Sequence, residues 1–590
     1  VFSIFGEREH RLLKPASAFR NLRAATESAY GAARYGACMR KLFVAIALIA
    51  VAASANETSV HSLQSGTSNG PTPLFDNGIH GEGQVIAVLD TGLDYDNCYF
   101  AEADGSAPPV NTGTPSGGFA FSNVNPQRRK VIAYDFLYSC DQFPNASGCD
   151  DPKNPAAWDN QGHGTHAAGA AAGDRGTPIV HDYADAIAPA AKLVIQDAGY
   201  TGGDNCSQRP GIGCPVKLDP ILEQAYAQGA RIHSNSWGDR QGTPSPLPSP
   251  TANYSAGARD IDDFVWRHPD MLVIFNTGNY GSTTTPPASS LSAPGSAKNT
   301  LQVGGTRVAG RDDDTIANYT LRGPTRDGRL KPDLVGPAYV LAADTNLSVA
   351  NAGCDYSYQS GTSWSSPTIA GAAALVRQYY MDGYYPSGYA TPADRIAPSA
   401  ALLKATLIAA ARSVPYRATG TGFADAAPAP STEQGWGFPV LGSALALPGS
   451  AVRLRVDDVA NAAGLAAGES RTLRVTAQPG LPLRVVLVWT DPAGGVRSTT
   501  DTTPQLVNDL DLVVTSPNGA VLRGNDALHP GQADRLNNVE VASIAMPAAG
   551  TYTIDVSAAR LGVGPRQGYA LVVTGDVAPI IAPRPRAARH

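Results

Sequence analysis

The chain has 590 residues, of which 43% are hydrophobic and 16% charged, enough apolar material for large cores and for more than one domain. Its formal charge of −6 excludes a basic footprint for nucleic acid or for an anionic membrane surface. The composition equally excludes disorder on a large scale.

In chain order, the first long apolar run is MRKLFVAIALIAVAASA, residues 39–55, where Arg40 and Lys41 precede a short apolar stretch and Ala53-Ser54-Ala55. A basic start, a core too short to span a bilayer comfortably and an A-x-A site predict a secretory signal peptide, with the mature protein starting at Asn56. Residues 1–38 then read as an over-extended gene start, and removing 1–55 takes the charge from −6 to −11. The expected location is therefore outside the cytoplasm, extracellular or periplasmic, with no membrane attachment after cleavage.

From about 84 to 305, QVIAVL, KVIAYDF, KLVIQDA, RIHSNSW and MLVIFNT predict buried strands, alternating with helical stretches such as LDPILEQAYAQGA and ARDIDDFVWRHP. That alternation predicts an α/β fold, a parallel sheet flanked by helices, whose ligands sit at the carboxyl ends of the strands. Asp90, Ser236 and Asn279 lie at or just beyond such ends. After residue 449 the helical pattern stops, and RTLRVTA, LRVVLVWT, LDLVVTSPNG, TYTIDVS and YALVVTG predict an all-β module, a sandwich or jelly roll. The boundaries are a catalytic domain at 56–445, a β module at 450–576 and a Pro/Arg-rich flexible tail at 577–590.

Six cysteines follow the signal segment, an even number that suits disulfides in an exported chain, although six allow about fifteen pairings. The short loops CDQFPNASGC and CSQRPGIGC make Cys140–Cys149 and Cys206–Cys214 the simplest choice, leaving Cys98 with Cys354. No Cys-x-x-Cys or Cys/His cluster suggests zinc.

Asp90-Thr91-Gly92 ends the first strand, and two protease chemistries use such a triplet. Paired aspartates sharing a proton need a second copy, which the chain lacks. A lone aspartate that orients a histidine needs a His and a nucleophile elsewhere. DNQGHGTHAAG supplies His163 where a loop meets a small-residue helix, and SGTSWSSPTIAG places Ser363 at the start of a long helix. Taken alone, the first would be a structural histidine and the second a helix cap.

Together, D-T-G, H-G-T-H and G-T-S-x-x-x-P in this order resemble the subtilisin family of serine proteases over about residues 75–445. The resemblance implies an Asp90–His163–Ser363 triad, with Asn279 of VIFNTGN as an oxyanion donor. It implies that Ser236, Trp237 and Gly238 pair with substrate, that Asn276, Thr277 and Gly278 form a pocket wall, and that Ser292 forms the pocket floor. Two alanines usually stand where Asn276 and Thr277 stand here, so a more polar wall is expected. WTDP, LVNDLDLVVTSPNG, GND, LNNVE and GTYTIDV look like the C-terminal jelly-roll barrel of alkaline, oxidant-stable bacterial subtilases. Barrels of that branch bind calcium, and Asp509, Asp511, Asp534, Asn537 and Asn538 are the oxygen ligands expected here. The implied activity is that of a monomeric serine endopeptidase acting on proteins or peptides, with large apolar residues preferred before the cleaved bond. A narrow processing protease stays open as an alternative, and an inactive surface-binding protein is disfavoured by the complete triad.

Overall fold

The computed structural model describes residues 55–112, 123–137, 158–159, 161–176, 182–200, 211–212, 217–238, 252–280, 286–306, 313–346 and 353–578. Residues 1–54, Cys140, Cys149, Cys206, Cys214, the Pro/Ser-rich stretch 239–251 and the tail from 579 lie outside the described residues.

A helix, α1 (Ala55–Ser65), spans the expected mature start and buries Val60 and Leu63. An 11-stranded sheet follows. Its strands are β1 (Val85–Asp90), β2 (Val110–Thr112), β3 (Val131–Phe136), β4 (Lys192–Asp197), β5 (Ile232–Asn235), β6 (Leu272–Asn276), β7 (Leu301–Thr306), β8 (Thr315–Ile316) and β9 (Leu334–Pro337). The order along the sheet is β8-β7-β6-β5-β1-β4-β3-β2, with β9 beside β7 and a short hairpin, Tyr416–Thr419 and Gly422–Asp425, extending it past β8. β1 pairs in parallel with β4 on one side and β5 on the other. The chain therefore builds outward in opposite directions from β1, and this switch point opens a crevice at the carboxyl end of β1.

The central strands are buried along nearly their whole length because both faces of the sheet are covered. Ile86 and Val88 of β1 join one core, with the alanine-rich α2 (His163–Ala172) and the 20-residue α5 (Thr362–Met381). Ala87 and Leu89 join the opposite core, with α3 (Leu218–Ala227) and α4 (Ala256–Arg267). A two-stranded hairpin, β10 (Tyr339–Ala343) and β11 (Tyr356–Ser360), leads into α5. After it comes α6 (Ala400–Ala409), capped by the Ser399 hydroxyl accepting from the Leu402 N–H at 3.0 Å.

The β-rich segment consists of β12 (Arg453–Val459), β13 (Ser470–Ala477), β14 (Leu483–Val488), β15 (Asp509–Thr515), β16 (Val521–Arg523), β17 (Val539–Ile544), β18 (Gly550–Arg560) and β19 (Tyr569–Gly575). It forms two four-stranded antiparallel sheets, ordered β12-β19-β14-β17 and β13-β18-β15-β16. Val485 and Leu487 point into the space between these sheets. Val486 and Val488 instead join the core shared with α6. A strand with apolar residues on both faces is the reason LRVVLV lacks alternation.

Candidate active site

Asp90 is the last residue of β1 and is 2% exposed. Gly92, two residues on, has φ 109°, and a Cβ there would stand 1.7 Å from the Trp158 carbonyl oxygen. A Cβ on Gly164 would stand 2.1 Å from the Gly92 carbonyl oxygen. These two glycines let the end of β1 and the start of α2 meet backbone to backbone. The junction is organised by buried Asp159, whose carboxylate accepts from the Thr91 hydroxyl at 3.0 Å, the Gly162 N–H at 2.9 Å, the Thr165 N–H at 2.8 Å and the Thr165 hydroxyl at 2.6 Å. An acceptor at a helix N-terminus satisfies N–H groups that have no partner within the helix. Burial nevertheless raises the pKa of Asp159.

His163 opens α2, and its Nδ1–H donates to Asp90 Oδ1 at 2.6 Å. The Thr91 N–H donates to the same oxygen at 2.8 Å. A carboxylate acceptor holds the proton on Nδ1, which makes Nε2 the basic nitrogen of the ring. Burial works against the imidazolium charge, but the Asp90 carboxylate outweighs it and the His163 pKa is raised above its ordinary value. The Trp364 ring lies against His163 at 4.8 Å and against fully buried His166 at 4.3 Å. Trp364 thus bridges the first turn of α2 and the first turn of α5, setting the His163 ring beside the residue that follows Ser363.

Ser363 is the second residue of α5, where backbone N–H groups point out of the helix. Pro367 lies four residues later and has no N–H to give the Ser363 carbonyl. The Ser236 hydroxyl takes that role, donating to the Ser363 carbonyl at 2.6 Å. In return the Ser363 hydroxyl donates to the Ser236 carbonyl at 3.4 Å. The spacing G-T-S-x-x-x-P therefore frees a carbonyl that ties the helix start to the residue beyond β5.

Asn279 is exposed, and its Oδ1 accepts from the Thr362 N–H and the Thr362 hydroxyl, both at 2.9 Å. The Thr362 backbone donor identifies the amide end it meets as Oδ1, so Nδ2 is the end left to donate elsewhere. Gly238, Gly278 and Ser292 converge, because a Cβ on Gly238 would be 2.6 Å from Ser292 Cβ and one on Gly278 2.4 Å from Ser292 Oγ. Trp237 packs edge-on against Phe275 at 5.2 Å. Asn276 is buried, with its Oδ1 lacking a hydrogen-bond partner. Thr277 departs from the expected polar wall: it is 0% exposed and its hydroxyl donates to the Gly278 carbonyl at 3.3 Å.

Cys98 and Cys354 form a disulfide that ties the segment after Asp90 to β11. The expected calcium ligands are arranged differently from the sequence reading. Arg535 lies between the two acids, 3.0 Å from Asp509 and 2.7 Å from Asp511. Asp534 accepts from Asn525 and Asn537 side chains, both at 2.6 Å, and Asn538 donates to Asn299 at 3.1 Å and to the Trp489 carbonyl at 2.9 Å. The Arg535 guanidinium offsets one of the two charges of Asp509 and Asp511, and the five residues are held by protein partners rather than gathered around one point. Among the described residues no group of three His, Cys, Asp or Glu side chains is placed to hold a metal.

The model of the subtilase family, Peptidase_S8, matches residues 81–437. The chain belongs to the subtilase family. This subtilase is 24% identical to the serine protease/ABC transporter B family protein tagD of Dictyostelium discoideum, over 84% of this chain and 32% of that protein. It is 30% identical to subtilisin BL of Lederbergia lenta, over 38% of this chain and 67% of that protein. The crystal structure of a serine protease of Aeromonas sobria aligns over 88% of this chain and 94% of that one at 16% identity, with a TM-score of 0.39. The chain thus spans about a third of the length of tagD.

Sequence reasoning passed over Asp159, His166 and the role of Ser236. Asp159 stood in DNQGHGTH, four residues before His163, but an acid in a glycine-rich loop reads as an ordinary turn former.

Proposed function

We propose that this subtilase is an exported serine endopeptidase that uses Asp90, His163 and Ser363 as its triad. The observation that carries the reading is the 2.6 Å Asp90–His163 bond, in a ring packed against the neighbour of Ser363 at the mouth of the β1 crevice. The Ser363 hydroxyl attacks the peptide carbonyl carbon as His163 Nε2 takes its proton, and Asp90 stabilises the imidazolium. The oxyanion receives hydrogen bonds from Asn279 Nδ2 and the Ser363 N–H. Losing such an amide donor costs about 3 to 4 kcal/mol of barrier, a figure measured in subtilisin. Collapse breaks the C–N bond, the amine leaves with the His163 proton, and water then hydrolyses the acyl ester on Ser363 by the same route in reverse.

The meeting of Gly238, Gly278 and Ser292 supports a pocket walled by main chain and floored by a small side chain, open to large residues. Leu, Phe, Tyr and Met before the cleaved bond are the expected preference, and strict selection of Arg or Lys would refute it. Export is supported by the 39–55 pattern and by the Cys98–Cys354 bond. The strand orders of the two small sheets support a jelly roll for the β module. Protein or peptide substrates and a monomeric state complete the proposal.

The test is covalent labelling by a fluorophosphonate, mapped by mass spectrometry. Label on Ser363, lost together with turnover in Ser363→Ala, is the expected result. Undiminished proteolysis by Ser363→Ala would overturn the assignment.

A further inference from the structure

We infer that the Asp491–Gln505 loop of the β-rich module positions the primary specificity pocket and so takes part in selecting the residue before the cleaved bond. This rests on the pocket reading above, in which Ser292 is the floor.

Six residues beyond Ser292, Lys298 is wholly buried. Its ammonium group donates to the Asp491 carboxylate, the Pro492 carbonyl and, at 3.0 Å, the Gln505 carbonyl. Three acceptors satisfy all three of its hydrogens, and all three lie in the β-rich module. Asn299 and Asp491 exchange two hydrogen bonds, each 2.9 Å, side chain to main chain. The Asp491 carboxylate is itself held by the Val507 N–H at 3.0 Å and the Asn508 N–H at 2.7 Å. The same loop grips the segment that follows the insertion after Gly238. The Arg497 N–H donates to the Tyr254 carbonyl at 2.8 Å, and Asn253 Nδ2 donates to the Arg497 carbonyl at 2.7 Å. Ser296 then closes the ring, its hydroxyl donating to the Asn253 carbonyl at 2.6 Å.

One loop of the module therefore holds Asn253 and Tyr254 together with Lys298 and Asn299, a few residues beyond Ser292, and Ser296 joins the two groups. Simple adhesion of the two halves does not need this arrangement, since α6 and the apolar face of β12, β14, β17 and β19 already supply a dry contact. A buried ion pair is a poor source of net stability but holds one geometry against others, because any shift leaves a charge unpaired. The depth of a pocket that selects large side chains is a quantity such a clamp controls, and one methylene in such a pocket changes selection about 10- to 200-fold.

The experiment compares wild type with Lys298→Met/Asp491→Asn, which removes both charges together. Two measurements are made on the full chain: kcat/KM for peptides differing only in Phe or Ala before the cleaved bond, and the fluorophosphonate labelling rate of Ser363. The expected result is a Phe/Ala ratio reduced about tenfold, with labelling close to wild type. An unchanged ratio with labelling intact overturns the inference. Failure of wild type to label at Ser363 would instead overturn the triad reading on which it rests. Hydrogen exchange on wild type serves if the variant does not fold. A peptide aldehyde ending in Phe should slow exchange at the Asp491, Val507 and Asn508 amides, and unchanged exchange there refutes the clamp.

Discussion

His166 provides a direct test of how the floor of the site is built. It lies one turn beyond His163, fully buried against the Trp364 ring. Burial, reinforced by the neighbouring His163 charge, lowers its pKa from 6.5 to about 3. The unfolded chain then binds a proton at this position between those values while the folded chain does not. Stability from this group is complete above pH 6.5 and is lost as pH falls toward 3. Between pH 7 and pH 4.5 the loss works out to about 2.5 kcal/mol. His166→Leu keeps roughly the same volume and cannot titrate, so its stability should fall by about 2.5 kcal/mol less than that of the parent over the same interval. The assay is urea unfolding at the two pH values, in a Ser363→Ala background to prevent self-digestion. Buried acids elsewhere, such as Asp135 with its pKa raised by burial to about 7, contribute equally to both proteins and cancel in the comparison. Identical pH dependence in the two proteins would show that His166 is already protonated or solvated in the folded state, and would refute the reasoning.

Three further outcomes are expected. Because Asp90 raises the His163 pKa and catalysis needs the neutral ring, kcat/KM should rise with pH through an apparent pKa above 6.5, and Asp90→Asn should lower kcat by roughly 10⁴-fold; a pH–rate profile and steady-state kinetics check both. Trp364 cannot form a sulfoxide, so the enzyme should retain most of its activity in peroxide while Trp364→Met becomes sensitive, as residual activity after timed exposure will show. The Cys98–Cys354 bond spans 256 residues, a closure that contributes about 5.5 kcal/mol in the chain-entropy model, so Cys98→Ala/Cys354→Ala should unfold at a lower urea midpoint and the linked peptides should appear in a non-reducing digest.

The residues of the proposed triad and the α/β fold class were legible in the sequence because each left a local mark. β1 and β6 are apolar runs broken only by their last residue, since both faces of the sheet are buried, and periodicity reports burial directly. Asp90, His163 and Ser363 stood beside glycines and a proline whose spacing reflects backbone contact. Tertiary structure alone decided the rest, because the partners come from distant parts of the chain. The Asp90–His163 bond joins residues 73 apart, and the Ser236 hydroxyl reaches a carbonyl 127 residues away. The acids of LVNDLDL carried the composition of a calcium site, yet Arg535 folds between them, and nothing local to Asp509 or Asp511 announces a cation arriving from 26 and 24 residues downstream. Nothing in the local sequence SAPGSAKNT marks Lys298 as buried. Only the packing of the β-rich module over it removed water and made its three hydrogen bonds obligatory.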